Sequence, residues 1–464
     1  MRYNILVAMK ILQIGFIFSV LLLIGCVFSG CVTQQSQPPN CGNGVFDVGE
    51  TCVNCPEDVG PCSGGRIMKM LKAYASSYPE TLVNTLLTYD VIQMSADYYD
   101  SQALLVAVKQ QKPEIIFYSY EFPWAYGPSA DAPKSHPIEW AEIDTHEEWF
   151  LHTDDTLGNP GSGTQRIHFK AGDYYLMNIA PGSGWIDAYK QILQWTIEPE
   201  HGSADGWHFD VCMTKIQLKK DAPMITTEIY QNWEFWVVNL MNEFRIAFPN
   251  KRVGANCDPY APYFDGINGI PGFNDVEAEL FINPTWKPFD ENHPGYSEEA
   301  CLSHMNFYKY YMDRGVHVRV TDGCYMTWYW KWVTDPKNNP PYPTPEEATK
   351  IHNIFRLSLA CFLLINSATY WNNSCFSFNK LREGTPETPY YGYYGTEMDY
   401  DWGTPLGDFY AIKGLFEPTG LYARDFTNGT VYANISTEHS FTIKVNGQEV
   451  VIPPRGAWFP GDTI

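Results

Sequence analysis

The sequence predicts an α/β protein: a (β/α)8 TIM barrel, preceded by a small disulfide-rich N-terminal module and followed by a C-terminal antiparallel β domain. Three features carry that reading. Over residues 67–385 short apolar runs alternate with longer amphipathic ones, as the βα units of a parallel sheet require. Over residues 386–464 the apolar period drops to two, with Asn-Gly pairs separating the runs. Ahead of both, four cysteines crowd into residues 41–62.

The barrel strands expected, in order, are Val91–Ser95, Ile115–Tyr120, Tyr174–Ile179, Gly206–Asp210, Arg252–Asn256, Glu279–Asn283, His317–Asp322 and Ala368–Trp371. Each is a short apolar run of strand length. Between them Ile186–Thr196, Trp233–Phe248, Ser297–Met312 and Pro345–Leu364 repeat apolar residues every three and four positions, which gathers them on one helix face. Eight strands alternating with helices favour a closed barrel, which takes roughly 250 residues or more. A doubly wound sheet is the alternative. In the tail, Leu421–Phe426 and Val431–Ile435 flank Asn428-Gly429, while Phe441–Val445 and Glu449–Ile452 flank Asn446-Gly447, so two hairpins are expected.

Residues 1–31 read as a targeting segment outside the fold, because Arg2 and Lys10 precede the apolar run Ile11–Gly30. Phe28-Ser29-Gly30-Cys31 resembles the lipobox of prokaryotic lipoproteins, which implies cleavage before Cys31 and its lipidation; Leu23-Ile24-Gly25-Cys26 is a second such site. The run is about twenty residues long, so an uncleaved membrane-spanning anchor is the rival reading. Either way the remainder faces the outside of the cell, with residues 32–40 as a polar tether. Residues 41–66 are the module. It resembles a small unit of secreted proteins that usually has six cysteines. Phe46 and Val59 stand where that pattern has the other two, which leaves Cys41, Cys52, Cys55 and Cys62 for two bridges. Cys52-x-x-Cys55 also has the spacing of zinc ligands, but disulfides are the expectation for an exported chain.

Charge excludes some partners. With 31 Lys and Arg against 53 Asp and Glu, the net charge of −22 argues against nucleic acid or an anionic membrane surface as a direct ligand. The chain lacks a Gly-x-Gly-x-x-Gly turn, a P-loop and a Gly-x-Ser-x-Gly elbow, which disfavours dinucleotide enzymes, NTPases and serine hydrolases; no cofactor is expected. Asp144, His146, Glu147 and His152 cluster without a His-Glu-x-x-His helix, so no metal is expected either. Fifteen Trp and 31 Tyr supply flat apolar faces that suit the C–H faces of sugar rings where a groove exposes them.

The chemistry concentrates at strand ends. Gly206-Trp207-His208-Phe209-Asp210 is an apolar run that stops on a carboxylate, and Ala278-Glu279-Leu280-Phe281-Ile282-Asn283 supplies a second acid. In a parallel barrel the C-terminal strand ends share one mouth. Strands two apart begin about 10 Å from each other at the backbone. Inward side chains can shorten this to the approximately 5–5.5 Å of a retaining carboxylate pair or stop at the longer inverting separation. Asp210, the shorter side chain, is assigned as nucleophile and Glu279, the longer, as general acid/base. Asp322 ends the seventh strand and Glu121 follows the second, both as candidates to hold substrate; Glu277, in phase with Glu279, is the alternative acid/base. Trp286, Trp328, Trp330 and Trp371 are expected on the catalytic side as sugar platforms, with Tyr118 and His208 on barrel strands beside them. Cys324 with Cys375, and Cys212 with Cys257, are expected to bridge beyond strand ends, while Cys301 and Cys361 fall in helices and stay reduced.

Gly206-Trp207-His208-Phe209-Asp210, with Glu139-Trp140, Glu148-Trp149-Phe150-Leu151-His152, Val276-Glu277-Ala278-Glu279, Asp401-Trp402-Gly403-Thr404-Pro405-Leu406-Gly407 and Tyr422-Ala423-Arg424-Asp425-Phe426-Thr427-Asn428-Gly429, resemble hypothetical glycosyl hydrolase family 15 over most of residues 67–445. The resemblance implies an exported glycoside hydrolase acting on a carbohydrate substrate. One departure stands out: such barrels commonly carry Asn directly after the strand-four Asp, and here Val211-Cys212 follows. A non-catalytic carbohydrate-binding barrel and a structural cell-envelope protein are the competing readings.

Overall fold

In a computed structural model of the protein, eight parallel strands close into a barrel. The structure describes residues 66–72, 83–95, 99–128, 137–169, 173–210, 225–256, 275–279, 281–282, 297–323, 345–379, 396–412 and 420–462. The barrel strands are β1 (Met68–Lys72), β2 (Val91–Met94), β3 (Ile116–Glu121), β6 (Gly206–Phe209), β7 (Arg252–Asn256), β8 (Asp275–Glu279), β9 (His317–Gly323) and β10 (Ser374–Asn379). Each pairs with the next in that order and β10 returns to β1, with Met68 opposite Cys375. Between β3 and β6, the antiparallel pair β4 (Ala125–Tyr126) and β5 (Tyr175–Leu176) opens an inserted lobe.

Eight strands were expected and eight are found, but two of the expected runs are not barrel strands. Tyr174–Ile179 belongs to the lobe as β5, because its alternating pattern serves a hairpin as well as a barrel. Ala368–Trp371 is a bend leading into a 3-10 turn at Trp371–Asn373, and the true last strand begins at Ser374. The omitted first strand, Met-Lys-Met-Leu-Lys, carries two lysines, of which Lys69 is paired to Asp399. Strand β8 lies four residues earlier than Glu279–Asn283, since Asp275 and Glu277 interrupt the apolar run yet find partners inside the barrel.

Among the described residues the helices are α1 (Val83–Leu86), α2 (Tyr99–Gln111), α3 (Trp140–Ile143), α4 (Gly184–Thr196), α5 (Thr227–Ala247), α6 (Glu298–Met312) and α7 (Pro345–Ile365). Three of them start on side-chain caps: Ser183 accepts from Trp185 N, Thr226 from Ile229 N and Ser297 from Ala300 N. Their buried faces follow the helical period, as in Ile229, Trp233, Trp236, Val237, Leu240, Met241 and Phe244 of α5. Helix α7 departs from it. Every residue from Leu357 to Ile365 is buried, because α7 packs against β9 and β10 on one side and the C-terminal sheet on the other.

That sheet has the order β11-β12-β13-β16, with β11 (Tyr410–Ala411), β12 (Leu421–Phe426), β13 (Gly429–Asn434) and β16 (Ala457–Trp458); β14 (Phe441–Val445) and β15 (Gln448–Ile452) pair alongside. Asn446 and Gly447 both have positive φ, 51° and 85°, the geometry a two-residue hairpin turn requires. Arg424 joins sheet to helix. Its guanidinium donates to the carbonyls of Leu363 (2.9 Å), Leu364 (3.1 Å) and Asn366, at the end of α7 where carbonyls have no helical partner. Burial pulls its pKa down to about 10.

The chain divides into two units, Met1–Pro39 and Asn40–Ile464, and the described residues all lie in the second. Cys31, the cysteines of the 41–62 module, Cys212, Cys257 and Cys324 fall outside the described residues. Cys301, Cys361 and Cys375 are free and buried. The rim bridge expected for Cys375 is therefore corrected: it sits within β10 facing the barrel axis, 3.7 Å from Met70 Sδ. No described helix is long and apolar enough to cross a membrane.

Candidate active site

The barrel interior carries an unusual amount of charge. Alternation along β8 and β9 points Asp275, Glu277, His317 and Arg319 inward, and all four are fully buried. At the base Asp275 accepts from Arg319 Nε at 2.7 Å, from His317 Nδ1 at 2.5 Å and from the Tyr118 hydroxyl, while Arg252 donates to Tyr118 at 3.1 Å. Above them Arg319 donates to Gln93, and Glu277 Oε2 lies 2.9 Å from His208 Nδ1 and 3.3 Å from Gln93 Nε2. At the end of β6 stands Asp210. It accepts from the Tyr120 hydroxyl and from Asn256 Nδ2 at 3.1 Å, and its backbone carbonyl accepts from Trp124 Nε1 at 2.9 Å. Its side chain is 19% exposed, against 0% for Glu277 and Asp275, so the column of acids opens to solvent at Asp210.

Burial alone would raise the Asp275 carboxyl, but Arg319 and His317 hold it well below the usual carboxylate range. Burial, helped by repulsion from Arg252, lowers His317 to about 4 despite the attraction of Asp275. Burial opposes the charge on Arg319 as well, and Asp275 and Glu277 outweigh it, so its pKa is raised. A pH dependence of stability follows. Between the usual histidine pKa of 6.5 and about 4, the unfolded chain binds a proton that folded His317 refuses, so stability rises with pH across that window. The depressed Asp275 carboxyl adds a loss of the same sign at still lower pH. Urea midpoints are expected to be flat above pH 7 and to fall as the pH drops from 6.5 toward 4; a constant midpoint across that window would contradict the buried pairing.

The sequence-nominated residues distribute unevenly. Glu279 is the last residue of β8, its backbone paired with Thr321, two strands from Asp210 across β7. His208 lies between Glu277 and Asp210, its Nε2 3.9 Å from Asp210 Oδ1 and without a hydrogen-bond partner among the described residues. Four nominations are corrected. Glu121 is 3% exposed and faces outward, accepting from Ser119 (2.7 Å) and from Tyr189 of α4 (2.9 Å). Asp322 also faces outward, joined to Ser358 of α7 (2.5 Å) and Ile282 N (3.0 Å). Both have the opposite phase to the inward residues of their strands. Tyr118 is sealed in the base of the barrel. Trp371 precedes β10, at the end opposite the mouth, and packs edge-on against Phe426 at 5.7 Å. Trp286, Trp328 and Trp330 lie outside the described residues.

Sequence reading missed Tyr120 and Asn256, which donate to Asp210. Phase counting from Tyr118 finds the first, and the end of the correctly placed Arg252–Asn256 strand finds the second. In the lobe, Asp144 and Glu147 both bind Arg166 (2.6 and 2.9 Å), and His152 Nε2 lies 2.6 Å from Glu147, so these groups form a hydrogen-bonded network.

No family model matches the chain, and no curated protein sequence matches it. Its structural likeness is to solved glycoside hydrolases. The glycoside hydrolase domain of PelA from Pseudomonas aeruginosa is 13% identical, with a TM-score of 0.40 over 70% of this chain and 97% of that one. A noncanonic maltogenic alpha-amylase, AmyB from Thermotoga neapolitana, is 10% identical, with a TM-score of 0.44 over 84% and 94%. Cyclic alpha-maltosyl-(1→6)-maltose hydrolase from Arthrobacter globiformis is 11% identical, with a TM-score of 0.45 over 84% and 97%.

Proposed function

We propose that the protein is an exported glycoside hydrolase that cleaves glycosidic bonds in oligo- or polysaccharide through two carboxylates, within hypothetical glycosyl hydrolase family 15. The observation that carries the reading is Asp210: a solvent-reaching carboxylate at a barrel strand end, oriented by Tyr120 and Asn256. Asp210 attacks the anomeric carbon and Glu279, at the end of β8, protonates the leaving oxygen and later activates water. Glu277 does not take that second role, since it is fully buried against His208, Gln93 and Arg319. The test is a panel of oligo- and polysaccharides incubated with the full-length protein, read by released reducing ends. Cleavage of at least one glycan is expected, and binding without cleavage across the panel would favour the non-catalytic reading instead.

In the same proposal Cys31 is lipidated at the outer face of the cell membrane, residues 32–40 are the tether, and the 41–66 module is held by two bridges among Cys41, Cys52, Cys55 and Cys62. The basis is the lipobox-like Phe28-Ser29-Gly30-Cys31 and the composition of the module, whose few apolar residues, Val45, Phe46, Val48, Val53 and Val59, are too few to form a core alone beside its four cysteines. A Cys31→Ser variant expressed in a bacterial host is expected to lose incorporated fatty acid. Equal labelling of variant and wild type would place the lipid elsewhere.

A further inference from the structure

We infer that Thr321 and Ser377 form a hydroxyl-binding seat in the wall of the barrel mouth, which takes one hydroxyl group of a sugar ring. On β9, His317 and Arg319 face the interior, where they meet Asp275, Tyr118 and Gln93, while Asp322 faces α7. Thr321 shares the phase of Arg319 and so faces inward. On β10, Cys375 faces inward against Met70, and Phe376 and Phe378 face outward, each packed against Phe355 of α7. Ser377 shares the phase of Cys375. The register sets Ser377 opposite Thr321, and Thr321 opposite Glu279. Three neighbouring strands thus bring Glu279, Thr321 and Ser377 into one row, a step nearer the mouth than Glu277 and Arg319.

What marks the pair is that neither hydroxyl is bonded. Thr321 is 2% exposed and Ser377 0%, and neither Thr321 Oγ1 nor Ser377 Oγ has a hydrogen-bond partner among the described residues. A buried hydroxyl without a partner carries its whole desolvation penalty, and native interiors rarely leave one so. Here two stand side by side on paired strands, about 4.8 Å apart at the backbone. A single oxygen between them, able both to donate and to accept, satisfies both. Water and a sugar hydroxyl share that chemistry; the row containing Glu279 favours the sugar.

The inference rests on the glycosidase reading for its ligand. Thr321→Val keeps the shape of threonine and Ser377→Ala removes only the hydroxyl, so both are assayed in the full chain on a glycan the wild type cleaves. Each variant is expected to lose roughly three- to tenfold in kcat/KM, the value of one hydrogen bond, with a Tm in the absence of glycan that is unchanged or raised. Unchanged kcat/KM overturns the seat. A lowered Tm with unchanged kinetics also overturns it, by assigning the hydroxyls to an internal water. If the wild type cleaves no glycan, the glycosidase reading fails alone, and the seat is read instead from the Tm rise given by concentrated glucose, galactose or mannose. A rise that the Thr321→Val/Ser377→Ala double variant loses supports the seat, and equal rises or none overturn it.

Discussion

Asp210→Asn is expected to fold like the wild type and to lose at least roughly a hundredfold in glycan turnover, the lower range for removing an acid/base or nucleophilic group. The substitution keeps the size of the side chain and an oxygen to accept from Tyr120 or Asn256, so packing is preserved. What it removes is the negative charge that the proposed mechanism places against the anomeric carbon. Glu279→Gln is expected to behave alike if the two acids work as a pair. Both are measured as kcat/KM on the cleaved glycan, alongside a urea midpoint to show the fold intact. Near-wild-type turnover in either variant takes that residue out of the mechanism.

The second large effect is on stability. Arg319→Met is expected to cost about 3–5 kcal/mol, because it leaves Asp275 and Glu277 as buried carboxylates without their guanidinium. That is a large share of the roughly 5–15 kcal/mol that holds a typical domain folded. Arg319→Lys restores charge but not the planar fork that reaches Asp275, Gln93 and His208 together, and is expected to recover only part of the loss. Urea unfolding of the three proteins at pH 7 is the measurement. A change within about 1 kcal/mol for Arg319→Met, the level of an exposed ion pair, would show that the interior network contributes little.

Elements with strong local signals were legible in the sequence. Helices α4, α5 and α6 carry periodic apolar faces and Ser or Thr caps; α4 and α6 appear where expected within two residues, and α5 begins six residues earlier than expected, at Thr227. Strands β6 and β7 are apolar runs ended by polar residues, and the Asn446-Gly447 hairpin follows its dipeptide. Strands β1, β8 and β10 were obscured by Lys69, by Asp275 and Glu277, and by Ser374 and Ser377. Lys69, Asp275 and Glu277 meet partners from distant parts of the chain, and Ser377 faces the barrel interior, so none of them reads locally as part of a strand. The same reason governs the site. Asp210 is visible because it closes an apolar run, but its donors arrive from β3 and β7, 90 and 46 residues away, only when the barrel closes. Glu121 and Asp322 looked equivalent to it as strand-end acids. A one-residue difference in phase turns them into ties to the helix layer, where Tyr189 and Ser358 receive them.

In the proposed function a glycosidic bond is broken in the mouth marked by Asp210. A crystal structure of the Asp210→Asn protein soaked with a glycan the wild type cleaves tests it most directly. A sugar ring is expected in the mouth, its anomeric carbon against the side chain at position 210 and its glycosidic oxygen toward the end of β8. A glycan bound on the inserted lobe or the C-terminal sheet, with the mouth empty, would contradict it.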